Sequence, residues 1–303
     1  MSPTRILVSG GGGYVGRFIV EAFLADGYEV VVAGRNAPAL GFFSKATGFR
    51  PLCLGEEPRH DLFDGIDCFV HAAFDHVPGK YRGGEGDDPD AFVCRNLSGT
   101  TRLFDLAKAS QVGCVALLST RAVYGTQIPG SVLTEDTSPH PDTLYGQVKR
   151  GAEEHLQSLS DVGFRPLSLR VTGVYGPAGT GQQHKWRAMF QDYADGRVIA
   201  PRVATEVHGE DVARALVLLV RTGESGTFNV SDCVVDRHDL LRVVAETTGC
   251  THPLPDPADS ATLNIMNTDK LHARGWQPGG WLLLERTVRE MVSSRSSDTD
   301  SGP

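Results

Sequence analysis

The chain has 303 residues, of which 40% are hydrophobic and 22% are charged, and its formal net charge is −8. This length suits one large domain or a nucleotide-binding domain with a smaller partner, and the composition is that of a folded soluble protein. The negative charge argues against a nucleic-acid partner, which needs a concentrated basic face. The six cysteines show no Cys-x-x-Cys spacing, and no segment approaches the length of a membrane span. We therefore expect a cytoplasmic protein with free thiols.

Short apolar runs alternate with amphipathic helical stretches along most of the chain, which is the pattern of a parallel sheet covered on both faces. The predicted strands are residues 5–9, 29–33, 51–54, 68–72, 114–119, 166–171 and 227–230. The predicted helices are residues 14–25, 90–110, 143–159, 185–194 and 210–221. Right-handed crossovers then predict an α/β fold with a Rossmann-type doubly wound parallel sheet.

The alternation changes near residue 174, where a glycine-rich stretch begins. We predict an NAD(P)-binding domain from residues 1–173 and 207–230, with a smaller C-terminal substrate-binding region from residues 174–206 and 231–292. Residues 293–303 are rich in Ser, Asp and Gly and lack apolar periodicity, so we expect a disordered tail there.

A glycine-rich turn with the spacing Gly10-x-x-Gly13-x-x-Gly16 connects the first predicted strand to the first helix. The first glycine permits a tight turn, the second lets the backbone approach a pyrophosphate, and the third allows close packing of helix on strand. The helix start also offers unpaired N–H groups to phosphate oxygens. In this position the turn predicts a dinucleotide cofactor.

The end of the second predicted strand bears on which dinucleotide is bound. An acidic side chain there normally bonds the ribose hydroxyls and favours NAD. Here that position is Gly34, followed by Arg35, whose guanidinium can bind a 2′-phosphate. We predict NADP in preference to NAD; the alternative is that Arg35 is a solvated loop residue. For the adenine contact, Glu56 and Asp61 are both candidates.

A phenol and an ammonium, those of Tyr145 and Lys149, are spaced to share one face of the predicted helix 143–159, which Asp142 or Thr143 can cap. An adjacent ammonium and a helix N-terminus both favour the phenolate of a Tyr, whose ordinary pKa is about 10. Upstream, a predicted strand ends at Thr120 and brings its hydroxyl to the carboxyl edge of the sheet, where open α/β folds bind ligands. The sequence therefore predicts acid–base chemistry at this edge.

In their order and spacing, these motifs resemble the extended short-chain dehydrogenases/reductases of the NAD-dependent epimerase/dehydratase family. The resemblance covers nearly the whole chain. The motifs that carry it are the loop 9–16, Val70-His71-Ala72-Ala73, Asn96-Leu97-Ser98-Gly99-Thr100, residues 119–125, Tyr145-x-x-x-Lys149, Leu169-Arg170 with Val174-Tyr175-Gly176-Pro177, and Val207-His208-x-x-Asp211-Val212-Ala213.

The resemblance implies an oxidoreductase or epimerase that transfers hydride at a secondary alcohol or ketone carbon of a sugar-like small molecule. In that reaction Thr120 would hydrogen-bond the reacting oxygen, Tyr145 would be the general acid/base, and Lys149 would hold the cofactor ribose and tune Tyr145. Further cofactor contacts are implied for Tyr14, Val15, His71, Ala72, Ala73, Asn96 and Thr172.

Departures from the family pattern concern the substrate. Family members that act on nucleotide sugars commonly place an Arg four residues before the His of the Val-His-x-x-Asp motif, where this chain has Ala204. A second Arg, before the final Gly-Trp-x-Pro, is also absent, and Gly173 replaces the family's Asn after Leu-Arg. Arg202 is a candidate substitute. We expect a remodelled substrate pocket; the alternatives are a nucleotide-sugar 4-epimerase or dehydratase with an altered diphosphate site, and a non-catalytic NADP-sensing regulator.

Three further residues, Arg121, His76 and His208, are candidates for substrate contact. Arg121 follows Thr120 and alternatively forms a surface salt bridge. His76 lies near the start of a polar loop over residues 75–90, which is alternatively a solvated insertion. His208 alternatively packs or caps a helix. Asp75 and His76 offer only two metal ligands, so we predict no metal site. The expected partner is a small-molecule substrate, without nucleic acid or membrane, and the family resemblance is compatible with a homodimer.

Overall fold

The structure is a computed structural model that describes residues 4–76 and 84–293. Its strands are β1 (Arg5–Ser9), β2 (Glu29–Gly34), β3 (Gly48–Pro51), β4 (Cys68–His71), β5 (Cys114–Thr120), β6 (Val132–Leu133), β7 (Arg165–Val171), β8 (Gly173–Tyr175), β9 (Val203–His208), β10 (Gly226–Val230), β11 (Cys233–Asp236) and β12 (Ile265–Met266). Its α-helices are α1 (Tyr14–Ala25), α2 (Pro89–Val93), α3 (Gly99–Ala109), α4 (Leu144–Ser158), α5 (Arg187–Ala194), α6 (Gly209–Arg221), α7 (Arg237–Thr248), α8 (Asp269–His272) and α9 (Gly280–Ser293).

Seven of these strands form one parallel sheet in the order β3-β2-β1-β4-β5-β7-β10. The strands β2 and β3 are added on one side of β1, and the strands β4, β5, β7 and β10 are added on the other side. The strand order therefore reverses between β1 and β4. This is the doubly wound arrangement, whose ligand site lies at the carboxyl ends of the strands near that reversal. The predicted fold class is therefore confirmed.

The alternation of side chains along β1 shows how the two faces of the sheet are covered. Ile6 and Val8 join a buried cluster with α1 and α6, whereas Leu7 joins a second cluster with α3 and α4. A third buried cluster brings Tyr175 and Trp186 together with apolar residues of α7 and α9. This third cluster lies in the segments that we predicted for the substrate-binding region.

A small sheet with the strand order β11-β9-β8 lies beside the carboxyl edge of the large one. Thr172 alone separates β8 from β7, and only Ser231 and Asp232 separate β11 from β10. The small sheet, here called the cap sheet (Gly173–Tyr175, Val203–His208 and Cys233–Asp236), therefore starts directly at the ligand-binding edge.

Two predicted elements differ from those in the structure by more than two residues at an end or by an interruption. Strand β3 ends at Pro51, earlier than the predicted 51–54, because its partner β2 ends at Gly34 and the bond from Leu52 N to Gly34 O (2.9 Å) is the last one between them. The predicted helix 90–110 is interrupted by a π-helical turn, Cys94–Ser98. Such turns occur often at functional sites.

The predicted tail lies outside the described residues, apart from Ser293, which is the last residue of α9. Most of the early part of the predicted loop 75–90 lies outside them as well. Among the residues that the structure describes, no helix combines the length and apolar character needed to cross a membrane.

Candidate active site

Strand ends of the large sheet bring the predicted site residues to one edge. Gly10, Ala72 and Thr172 directly follow β1, β4 and β7, while Thr120 is the last residue of β5. Ser231, which the sequence analysis missed, directly follows β10. The hydroxyls of Thr172 and Ser231 are buried and have no hydrogen-bond partner among the described residues. Buried polar groups are normally satisfied, so these two hydroxyls mark a place for ligand atoms.

The glycine loop has the shape of a phosphate cradle. Gly10 has a φ of +70°, and a Cβ there would lie 2.7 Å from the backbone of Ala73. A Cβ at Gly16 would overlap the carbonyl oxygen of Gly10, whereas Gly12 faces open space with nothing within 4 Å. Gly13 caps α1 without a side-chain hydrogen bond, which leaves the first N–H groups of the helix for a ligand. The loop therefore fits the pyrophosphate of a dinucleotide.

Two long-range hydrogen bonds join this loop to the segment after β8. The phenol of Tyr14 donates to the carbonyl of Gly176 (2.7 Å), and Gln182 Nε2 donates to the carbonyl of Gly12 (2.8 Å). The Tyr14 side chain thus contacts the segment after β8, while its amide, like that of Val15, lies in the first turn of α1. These two hydrogen bonds hold the glycine loop against the segment that follows β8.

Helix α4 begins against the end of β5, which places Tyr145 on the same edge as Thr120. Thr143 caps the helix, its Oγ1 accepting from the Gly146 amide at 3.1 Å. A Cβ at Gly146 would lie 2.6 Å from the carbonyl oxygen of Ala122, so glycine is needed for this close approach. Of the two candidate caps, Thr143 therefore fills the role.

Lys149 lies one turn below Tyr145 and is buried. Its Nζ donates to the carbonyl of Leu118 at 2.7 Å and lies 4.7 Å from the ring centre of Phe74. Burial lowers the pKa of Lys149 to about 8, and the nearby Glu153 carboxylate opposes that shift. Lys149 is therefore mostly charged at neutral pH, beside a Tyr whose phenolate such a charge stabilises.

The Thr120 hydroxyl is oriented by the short 3₁₀ helix that follows it, Arg121–Tyr124. Thr120 Oγ1 accepts a hydrogen bond from the Ala122 amide at 3.1 Å. Because this bond uses an oxygen lone pair, the O–H of Thr120 keeps its donor capacity. A donor at this edge can stabilise charge on the oxygen of a reacting carbonyl.

A buried ionic network beneath the edge was missed in the sequence. Glu153 accepts hydrogen bonds from Ser119 Oγ (2.5 Å) and from Arg170 Nη2 (2.8 Å), and both charged side chains are 3% exposed. Arg170 also stacks on the ring of Tyr124. Glu153 is four residues after Lys149, so continuing the Tyr145–Lys149 spacing by one turn identifies it. The network fixes α4 against β5 and β7.

His71 and Asn96 are both buried in structural hydrogen bonds. His71 bridges Ser9 Oγ (2.8 Å) and Thr100 Oγ1 (2.9 Å), and burial, followed by the charge of Lys149, lowers its pKa to about 3. Asn96, in the π-helical turn, binds the backbone of Asp75 through both its Oδ1 and its Nδ2 (2.7 Å each). These side chains therefore stabilise the backbone at the carboxyl ends of β1 and β4.

The start of the polar loop packs against the predicted catalytic helix. The ring of Phe74, which the sequence analysis missed, meets Tyr145 edge-on at 5.1 Å between ring centres. Asp75 pairs with Arg95 at 2.5 Å, and His76 Nδ1 lies 3.4 Å from the Phe74 carbonyl. No group of three potential metal ligands occurs within residues 4–76 and 84–293.

Two of the predicted substrate residues have structural partners. Arg121 donates to the carbonyl of Asn264 at 3.0 Å, which joins the 3₁₀ helix to the C-terminal region. His208 caps α6, its Nδ1 accepting from the Glu210 amide, and burial lowers its pKa to about 4. Of the alternatives considered for His208, this geometry matches the capping role.

A separate set of residues was predicted to contact the adenosine part of the dinucleotide. Gly34 ends β2 and faces open space, and Arg35 is exposed beside it. Asp61 forms two hydrogen bonds with Arg59, which lowers the Asp61 pKa to about 2. Glu56 is exposed. The adenine contact therefore stays open between Glu56 and Asp61.

The fold and this edge define the class of the protein as a dinucleotide-dependent α/β enzyme. A model of the NAD-dependent epimerase/dehydratase family matches residues 6–231. The chain therefore belongs to the NAD-dependent epimerase/dehydratase family, and it is an NAD(P)-dependent enzyme of the short-chain dehydrogenase/reductase class.

Individual relatives show the same likeness. UDP-glucose 4-epimerase 4 of Oryza sativa subsp. japonica is 30% identical over 290 residues, which cover 86% of this chain and 74% of that protein. UDP-glucose 4-epimerase of Thermotoga maritima, crystallised with UDP-glucose, has a TM-score of 0.81 at 22% identity, over 98% of this chain and all of that one. The complex of Thermus thermophilus UDP-glucose 4-epimerase with NAD has a TM-score of 0.77 at 26% identity, over 96% of this chain and 99% of that one.

Proposed function

We propose that this chain interconverts a secondary alcohol and a ketone in a sugar-like small molecule, with Tyr145 as general acid/base. The observation that carries the proposal is the edge where α4 meets the end of β5, because it holds a hydroxyl, a phenol and a buried ammonium together beside the glycine loop. The nicotinamide ring of a bound dinucleotide supplies the hydride acceptor or donor for this chemistry.

Each side chain at the edge has a separate task. Tyr145 takes the proton of the substrate hydroxyl during oxidation and returns it to the carbonyl oxygen during reduction. Thr120 donates a hydrogen bond to that oxygen and stabilises its developing charge. Lys149 favours the phenolate of Tyr145 and holds the cofactor ribose. The amides of the glycine loop hold the pyrophosphate, with Thr172 towards the nicotinamide end.

The experiment that tests this function is a substrate screen with the purified chain and oxidised dinucleotide. Aldoses, uronates, other polyhydroxylated compounds and nucleotide sugars are incubated, and both reduced dinucleotide and isomerised sugar are measured. We expect turnover of at least one sugar-like compound. Dinucleotide binding without turnover across the panel would instead support the sensing regulator.

For the cofactor, we propose NADP in preference to NAD, on the basis of Arg35. Its exposed guanidinium stands next to Gly34, where no carboxylate repels a 2′-phosphate. The Thermus thermophilus relative was solved with NAD, so the choice needs its own measurement. Calorimetric titrations should give tighter binding of NADPH than of NADH, and Arg35→Ala should remove the difference. Equal or tighter binding of NADH by the unmodified chain would refute the preference.

A further inference from the structure

A charged pair stands in the cap sheet beside the ligand-binding edge. Lys185 Nζ donates to Oε2 of Glu206, which lies in the central strand β9. The Glu206 side chain is 8% exposed and that of Lys185 is 26% exposed. The carboxylate is therefore built into the cap sheet, while the ammonium reaches it from the segment before α5.

This pair takes up the space of a side chain at residue 173. Gly173 pairs with Glu206 in the register of β8 and β9. A Cβ on Gly173 would overlap Glu206 Oε2 and would lie 2.6 Å from Lys185 Nζ. Glycine at this position therefore suits the ion pair as it stands, since a Cβ at residue 173 would require the Glu206 carboxylate and the Lys185 ammonium to shift.

The same face of β9 lacks a cation where one is expected from the family pattern. Ala204 and Glu206 are two residues apart and therefore share a face of the strand. Arg202, the candidate substitute for the missing Arg, is exposed and precedes the strand. Close to Gly173, this face offers a carboxylate that is already paired with an ammonium, where the family pattern would place an Arg at residue 204.

The position of Glu206 puts the pair near the proposed reaction. On one side Glu206 pairs with Gly173, which directly follows Thr172, and on the other it pairs with Cys233, which comes two residues after Ser231. Thr172 and Ser231 each have a buried hydroxyl without a partner in the described part of the chain, as does Tyr175 in β8. Glu206 is therefore flanked by two strands, one that begins one residue after Thr172 and one that begins two residues after Ser231.

We infer that the Lys185–Glu206 pair over Gly173 selects a substrate whose anchoring part carries hydroxyl groups and no diphosphate. The inference rests on the proposed function. Oε1 of Glu206 has no hydrogen-bond partner among the described residues and can accept from a hydroxyl, while Lys185 keeps further N–H donors for hydroxyl oxygens. A diphosphate would instead meet the Glu206 carboxylate, and such like-charge contacts are a means of rejecting the wrong ligand.

The test measures binding of uridine diphosphate by calorimetry, because this probe carries the diphosphate and needs no turnover. The proteins compared are the unmodified chain, Glu206→Gln, and Glu206→Gln combined with Ala204→Arg. Glu246→Gln is the control, since it removes an exposed carboxylate, paired with Arg242, without touching the cap sheet. Glu206→Gln should tighten binding by at least about tenfold, the double variant should tighten it further, and the control should leave it unchanged.

Micromolar binding by the unmodified chain that Glu206→Gln leaves unchanged or weakens would overturn the inference. Thermal unfolding checks that each variant is folded. If Glu206→Gln does not fold, Lys185→Gln tests the same point in the opposite direction, because an uncompensated carboxylate should weaken binding of uridine diphosphate, and unchanged binding would count against the pair.

The outcomes separate this inference from the proposed function. Turnover of UDP-glucose with micromolar affinity would refute the role of the pair and keep the hydride chemistry. Tighter binding of uridine diphosphate by Glu206→Gln, in a protein that turns over no sugar, would keep the role of the pair and refute the chemistry.

Discussion

The edge at α4 and β5 and the cap sheet beside it are built from different parts of the chain, and they differ in how they match the family pattern. At the first, Thr120, Tyr145 and Lys149 stand where the sequence motifs predict the catalytic residues, and Glu153 lies one helical turn beyond Lys149. In the cap sheet, the positions that the family pattern predicts for substrate binding hold Gly173 and Ala204, and an ion pair occupies the space beside Gly173.

We infer from this difference that the reacting carbon and the rest of the substrate are handled by separate elements. The groups proposed to move protons are fixed by the large sheet and by α4. Groups that would anchor the substrate lie on β8 and β9, which can change without moving α4. The predictions below test each side of this comparison.

The largest expected effect is on the catalytic edge. Tyr145→Phe should lower turnover by about a hundred- to ten-thousand-fold, because the proton-transferring group is lost. Dinucleotide affinity should stay unchanged, since the phenol oxygen is not needed to hold the pyrophosphate. Steady-state kinetics and calorimetry measure the two quantities. Tyr28→Phe, at the opposite edge just before β2, is the matched control, and unchanged turnover in Tyr145→Phe would contradict the role of the phenol.

The network below the edge should determine stability. Glu153→Gln leaves the buried Arg170 charge without its partner, which should lower the free energy of unfolding by about 3–5 kcal/mol. Glu154→Gln provides a close control, because Arg150 contacts both carboxylates while Glu154 is 59% exposed. Its cost should be below about 1 kcal/mol. Urea unfolding gives both values, and equal losses would show that the network adds no stability.

A smaller effect is expected for the cradle of the cofactor. Gly12→Ala meets no protein atom within 4 Å, so the fold should be unaffected. The added methyl would project into the space expected for the pyrophosphate, and dinucleotide affinity should fall by at least about tenfold, or 1.4 kcal/mol. Gly163→Ala, at an exposed turn, should change neither quantity. Full affinity in Gly12→Ala would place the pyrophosphate elsewhere.

The last prediction concerns acid stability. In the folded chain the pKa of His71 is lowered to about 3, so between this value and its ordinary pKa of about 6.5 the unfolded state binds the proton more readily. Stability should therefore fall as the pH falls through this window. His71→Asn should make the decline shallower, whereas His60→Asn, on the surface, should not. Unfolding curves at several pH values decide between these slopes.

Local features of the site were predictable from the sequence. The bounds of β1 and α1, residues 5–9 and 14–25, agree with the prediction, because apolar periodicity and the glycine turn determine them within one short segment. The shared face of Tyr145 and Lys149 likewise follows from helical spacing alone.

Features that depend on contacts between distant segments were not predictable. The bond between Glu153 and Arg170 requires that α4 lie against β7, and the Lys185–Glu206 pair requires the register of β8 and β9. The actual end of β3 depends on where β2 stops, which the apolar residues Leu52 and Leu54 do not reveal. Pairing of this kind is decided by tertiary structure rather than by local sequence.

The central claim, that the edge at α4 and β5 performs hydride chemistry on a sugar-like carbon, has a direct test. A substrate found in the screen is prepared with deuterium on its reacting carbon and mixed with the chain and oxidised dinucleotide in a single turnover. When the product is the ketone, mass spectrometry should find the deuterium on the nicotinamide ring with the unmodified chain and none with Tyr145→Phe. When the product is an isomerised sugar, the deuterium should be back on the reacting carbon, because the hydride is returned. Loss of the deuterium to solvent during product formation by the unmodified chain would contradict the account.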